Sequence, residues 1–136
     1  NDQREVSLED MKALFLLGEN NVTRVIATGR NFYSLSKVLK DNFPIDYLIF
    51  SSGAGIYNWK SKELMHSEYL PGFEVKQISK ILIDHHVDFM IHEMIPDNHK
   101  FVYHRSGNVN PDFATRIKIL LISLIQIQKI MSMLVK

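Results

Sequence analysis

Apolar residues recur along this chain in two rhythms, short β-branched runs and runs at helical spacing, and the switches between them predict the order of elements. Ser7-Leu8-Glu9-Asp10 sets a hydroxyl three residues before an acid, a capping-box-like start, and Met11, Leu14 and Phe15 follow at helical spacing. A first helix is predicted to about Leu17, with Gly18 as its stop. Val22 to Ala27 is short, β-branched and flanked by turn residues, which predicts a buried strand with Thr28-Gly29-Arg30 as the loop at its carboxyl end. Phe32, Leu35, Val38 and Leu39 then share a helical face until Asn42-Phe43-Pro44, and Asp46 to Phe50 reads as the next strand. Strand, loop, helix, strand is the order of a parallel βαβ unit. Ligands of such units gather at the carboxyl ends of the strands, so Thr28-Gly29-Arg30 and Ser51-Ser52-Gly53-Ala54 are expected on one edge.

Beyond that edge the pattern predicts a hairpin, Gly55 to Trp59 and Glu63 to Glu68 around Lys60-Ser61-Lys62. After Pro71-Gly72 a helix is expected over Glu74 to His86, turning Val75, Ile78, Ile81 and Leu82 inward. Asp88 to His92 and Lys100 to His104 read as strands around Pro96-Asp97-Asn98-His99. Ile117 to Ile122 reads as a third strand, and Leu124 to Val135 as a closing helix. Punctuation near Leu70 to Phe73 separates a βαβ-like half from an α+β half.

Composition narrows the function classes. The chain has 136 residues, 46% of them hydrophobic, enough for a buried core, and a net charge of +1. It lacks the dense Lys/Arg block that would track nucleic acid or an anionic membrane, so neither is expected as a partner. With no cysteine there are no disulfides, thiolate metal sites or thiol nucleophiles, which fits a reducing cytoplasm. Ile117 to Val135 is very apolar, but Lys118, Gln126, Gln128 and Lys129 interrupt it short of the ~20 apolar residues of a membrane span. The polar start Asn1-Asp2-Gln3-Arg4-Glu5 lacks a signal-peptide core and an initiator Met, so the native start is expected upstream. Six histidines show no metal-ligand spacing, and no residue is assigned as a metal ligand.

Thr28 is the leading candidate for chemistry. At the end of a buried strand its hydroxyl and the following backbone N–H groups can converge on a phosphate oxygen, and Gly29 permits close backbone approach. Taken alone, Ala27-Thr28-Gly29-Arg30 is equally an ordinary strand end that caps a helix. Arg30 either reaches a phosphate or pins the loop through an acid such as Asp46. Ser51, Ser52 and Gly53 either line the mouth of a site or form a β-turn of small residues. Tyr57, Trp59 and Phe73 suit hinge and core positions, and Glu93, Arg105 and Asn108 are unranked substrate contacts in the second half.

Val25-Ile26-Ala27-Thr28-Gly29-Arg30-Asn31, a helix, then Ile45 through Phe50 and Ser51-Ser52-Gly53-Ala54-Gly55-Ile56-Tyr57 resembles the Cof-type branch of the haloacid dehalogenase superfamily. In that family a strand ending V-x-A-T-G-R is the second signature motif, and a later strand ends in N-G-A before a hairpin leads into a cap. Ser52 stands here where relatives offer Asn. The helix after Pro71-Gly72, the Asp88 strand and Arg116 to Ile122, similar to a strand late in these caps, extend the likeness over nearly the whole chain.

The resemblance implies an α/β fold: part of a Rossmann-like core with a parallel βαβ over residues 1–70, then part of an α+β cap domain over 71–136. It implies a phosphatase for a small phosphorylated metabolite such as a sugar phosphate, working through an aspartyl-phosphate with magnesium as cofactor. Thr28 would be the catalytic residue that holds the transferring phosphoryl group, with Gly29, Arg30, Ser52 and Gly53 beside it in substrate binding. The family's D-x-D-G-T motif, which carries the nucleophile, is expected before Asn1, and its Lys and paired-Asp motifs after Lys136. A truncated, non-catalytic relative that binds an anion or a partner is the competing expectation.

Overall fold

The computed structural model describes residues 6–121, with the side chains of 119–121 left aside. The expected closing helix from Leu124 to Val135 lies outside these residues. The chain's contacts divide it into two units, Asn1–Tyr69 and Leu70–Lys136.

In the first unit, helix α1 (Leu8–Glu19) opens with the expected capping box: Asp10 N–H donates to Ser7 Oγ at 3.0 Å, and Ser7 N–H to Asp10 Oδ2 at 3.4 Å. It runs past Gly18, because Asn21 takes the left-handed stop position with φ 58° and its N–H donates to Gly18 O at 3.1 Å, while Gly18 lies against the Arg24 guanidinium, where a Cβ would collide. Strand β1 (Val25–Ala27) pairs in parallel with β2 (Tyr47–Phe50) across the short helix α2 (Phe32–Ser36), giving the βαβ unit. β1 is shorter than Val22 to Ala27 because Val22 N–H is spent on Leu17 O, closing the turn after α1. α2 ends early as well, although helical turns continue through Val38 and Leu39 N–H to Leu35 O at 2.9 and 2.8 Å.

The hairpin β3 (Gly55–Asn58) and β4 (Glu63–Ser67) completes a sheet of order β1-β2-β3-β4. Alternation puts Leu48 and Phe50 wholly inside, both 0% exposed, and Leu35, Ile45 and Trp59 join them. Phe32, the first residue of α2, packs edge-on against Phe50 with centroids 5.5 Å apart and lies 4.8 Å from the Tyr57 ring. Asp46, just before β2, accepts from Arg24 Nε and Nη2 at 2.9 and 3.0 Å and from Arg24 N–H at 2.7 Å, and Lys60 Nζ stands 2.7 Å away. Arg24 Nη1 also reaches Leu14 O at 3.1 Å, so one guanidinium ties α1 to both parallel strands. Hydrogen bonds from Arg24 and then Lys60 hold the Asp46 carboxyl far below the usual carboxylate range.

The second unit holds helix α3 (Gly72–Asp84), the antiparallel pair β5 (Phe89–His92) and β6 (Phe101–His104), and helix α4 (Pro111–Leu121). Two expectations are corrected here. Ile117 to Ile122 is not a strand: its described part belongs to α4, whose start is set by Asn110 Oδ1 accepting from Phe113 N–H at 3.1 Å, Pro111 in the first position and Asp112 in the first turn. Ile117-Lys118-Ile119 alternates as a strand would before the run turns wholly apolar, so only these start signals could decide. α3 buries none of its residues, and Ile78 and Ile81, expected inward, are exposed. Phe73 is likewise exposed, not a core aromatic.

Candidate functional site

The parallel pairing of β1 and β2 brings Thr28-Gly29-Arg30 and Ser51-Ser52-Gly53 side by side at the carboxyl ends of the two strands. Three backbone bonds lace the loops together: Thr28 N–H to Ile49 O at 2.9 Å, Ser52 N–H to Thr28 O at 3.1 Å, and Ser51 N–H to Arg30 O at 2.9 Å. Arg30 N–H donates to Thr28 Oγ1 at 3.2 Å, and Asn31 Oδ1 accepts from Ser34 N–H at 2.8 Å to start α2. Phe32 anchors that start on Phe50 and Tyr57, so the first loop is fixed at both ends.

The lacing changes what each residue can offer. Thr28 N–H and Arg30 N–H are both used inside the loop pair, whereas the sequence suggested that backbone donors after Thr28 would converge on a ligand. Thr28 keeps its hydroxyl proton to donate, since Oγ1 only accepts from Arg30, and none of the loop's bonds uses Gly29 N–H. Gly29 matters for contact between the loops: a Cβ there would stand 3.3 Å from Ser52 Oγ. Thr28 is half-buried, Gly29, Arg30, Ser52 and Gly53 are exposed, and the edge opens to solvent.

Ser51, Ser52 and Gly53 form a turn of small residues, closed by Ala54 N–H to Ser51 O at 3.2 Å, but a left-handed one. All three are left-handed, with φ of 51°, 56° and 99°. Only Gly is at ease there; each Ser costs about 1–3 kcal/mol in a sparsely populated region, and the bonds to Thr28 and Arg30 hold them. Asn tolerates this conformation better than Ser, which gives a backbone reason for the Asn that the resemblance leads one to expect at position 52.

Arg30 does not pin its loop through Asp46, because Asp46 is taken by Arg24 and Lys60; among the described residues Arg30 enters no ion pair. Tyr57 sits between Phe32 and Trp59, and burial pushes its phenol pKa up, as befits a packing role. In the second unit Asn108 Nδ2 donates to His86 O at 3.2 Å, Glu93 backbone N–H donates to Lys100 O at 2.9 Å, and Arg105 is exposed. His85 caps α3 and His86 lies beyond it in the left-handed region, so they do not share the helix as adjacent residues. Asn31 was missed, although Asn directly before an apolar helical run is a legible cap.

Among the described residues no three His, Asp or Glu side chains gather as they would around a cation. No described helix is long and apolar enough to cross a membrane.

A family profile described as haloacid dehalogenase-like hydrolase matches residues 1–132. No curated protein matches. Among solved structures, a haloacid dehalogenase-like hydrolase from Bacteroides thetaiotaomicron shares 22% identity and a TM-score of 0.58, covering 89% of this chain and 44% of its own. A phosphatase of the haloalkanoate superfamily from the same organism shares 16% identity at a TM-score of 0.63, covering 88% of this chain and 41% of its own. A subclass IIB sugar phosphatase shares 21% identity at a TM-score of 0.58, covering 88% and 44%. This chain therefore spans less than half the length of each of these structures.

Proposed function

The chain belongs to the haloacid dehalogenase-like hydrolase family, and on that premise we propose that it supplies the phosphoryl-binding edge of a phosphate-monoester hydrolase for a small phosphorylated metabolite such as a sugar phosphate. The laced pair of loops at the carboxyl ends of β1 and β2 carries the reading. Charge accumulates on phosphoryl oxygens as the ester breaks, and donors already fixed by the fold stabilise it without reorganising. Thr28 hydroxyl and Gly29 N–H are such donors, and Arg30 adds a mobile positive charge at the rim. The sugar phosphatase among the structural neighbours supports a phosphorylated sugar as substrate.

In the proposed reaction an aspartate attacks phosphorus, the alcohol leaves, and water cleaves the aspartyl-phosphate. The 136 residues contain no D-x-D-G-T sequence, so the nucleophile would come from chain outside them, and these residues alone would be inactive. Magnesium, which the family reaction would use, finds no ligand set among the described residues. Thr28 and Ser52 offer neutral oxygens, and Asp46 is held by Arg24 and Lys60 at the opposite ends of the strands. These residues would grip the phosphoryl group with no share in holding the metal.

The test is Thr28→Val in a longer form that carries the nucleophile. Val keeps the branched shape and removes the donor, so kcat/KM should fall by about a hundredfold to a thousandfold with the fold unchanged. Unchanged kinetics would remove Thr28 from the site. Ser52→Asn should shift relative rates among sugar phosphates while sparing a small generic ester. A longer form that binds phosphate through Thr28 yet turns nothing over would favour the non-catalytic anion binder instead.

A further inference from the structure

The second unit contains a cleft of about 490 Å³ between β5 and the start of α4. That volume falls within the roughly 300–1,000 Å³ of small-molecule sites. Phe89 and Phe113 form part of its lining, and His92, Asn110, Asp112 and Arg116 add polar groups from both elements.

The hydrogen bonding of these groups fixes what they can offer. His92 Nδ1 lies 2.9 Å from Asn98 O, and a carbonyl can only accept, so Nδ1 carries the proton and Nε2 is the acceptor of the neutral ring. Asn110 accepts from Phe113 N–H through Oδ1, and its side chain also hydrogen-bonds the Asp88 carboxylate. Asp112 and Arg116 stand four residues apart on one face of α4, a spacing that commonly forms an ion pair, yet among the described residues they form none. The cleft thus mixes a donor, Arg116, with two acceptors, Asp112 and His92 Nε2, beside two aromatic rings. Asp88, also in the lining, accepts from Ser106 N–H and Oγ at 2.7 and 2.9 Å, and the nearby Arg105 offsets its charge. Two carboxylates and two guanidiniums balance, which favours a neutral ligand.

We propose that this cleft binds a neutral polyhydroxylated ring, such as an unphosphorylated sugar or cyclic polyol. Hydroxyl groups both donate and accept, which matches the mixed set, and the C–H face of such a ring packs on aromatic side chains. The proposal does not depend on the hydrolase reading, because neither phosphate nor turnover enters it.

Saturation-transfer NMR on the 136-residue chain tests it, with D-glucose, myo-inositol and inorganic phosphate as probes. Irradiating aromatic protons should transfer saturation to the ring C–H protons of glucose or myo-inositol. Arg116→Gln, at an exposed position, should weaken that binding by about tenfold, the scale of one hydrogen bond to a charged group. Asp112→Asn should weaken it as well, and Thr28→Val should leave it unchanged. No transfer to either ring, transfer indifferent to both α4 variants, or displacement of the ring by inorganic phosphate would each overturn the proposal.

Discussion

The two sides of the first sheet are built differently. Around β2 and β3, Leu48 and Phe50 are fully enclosed, and the Phe32, Phe50, Tyr57 and Trp59 rings meet edge to face or tilted. Around β1 the packing stops: Val25 is 48% exposed, and α1 buries no residue although it carries Leu8, Phe15, Leu16 and Leu17. A groove of about 510 Å³ runs between α1 and β1, lined by Leu14, Leu17, Val25, Ile26, Phe43 and Ile45 among others. The Thr28-Gly29-Arg30 and Ser51-Ser52-Gly53 loops follow the two strands, with Phe32 packed on Phe50 beside them. Among the described residues the open side leaves the outer edge of β1 without a neighbouring strand, and that edge and its apolar surface invite a further strand or another chain.

The sharpest way to break this contrast is to compare equal truncations. Phe50→Ala on the closed side should cost about 3–5 kcal/mol in urea denaturation, while Val25→Ala on the open side should stay within about 1 kcal/mol. Similar losses would mean that β1 is as well packed as β2. Gly55→Ala comes next: a Cβ there runs into the Phe50 ring, and overpacking should cost about 1–3 kcal/mol by the same measurement.

Acid should sharpen the contrast through Asp46, which joins the two sides. Its folded pKa lies below its unfolded value, so its stabilisation is fully present above the ordinary carboxylate range and is lost as pH falls through the folded value. Thermal melts should therefore fall below roughly pH 4, and Asp46→Asn should lower the melting temperature at pH 7 while flattening that acid limb. An unchanged acid limb would detach the Arg24–Asp46–Lys60 cluster from stability. The smallest effect is expected for Leu16→Glu, within about 0.5 kcal/mol in stability but lowering concentration-dependent association seen by sedimentation.

Much of this was legible from residue order. The capping box at Ser7 and Asp10, the parallel βαβ and the adjacency of Thr28 and Ser52 follow from local patterns and from the rule that parallel strands share a ligand edge. Other features were not. Arg116-Ile117-Lys118-Ile119 alternates polar and apolar as a strand would, so the helix start at Asn110 and Pro111 had to decide. Asp46 pairing with Arg24 instead of Arg30, and Gly18 lying under that same guanidinium, are set by which end of the sheet each residue reaches, a property of register and not of local pattern. The left-handed Ser51 and Ser52 were hidden because Ser does not signal that conformation as Gly or Asn would.

The central claim, that Thr28-Gly29-Arg30 and Ser51-Ser52-Gly53 form one phosphoryl-binding edge, is tested most directly by titrating the 136-residue chain with inorganic phosphate and following backbone amide resonances. The account predicts weak, saturable shifts concentrated at Gly29, Arg30, Ser52 and Gly53 that Thr28→Val greatly reduces without altering the rest of the spectrum. Shifts that gather elsewhere, or that persist at these loops in Thr28→Val, would contradict it.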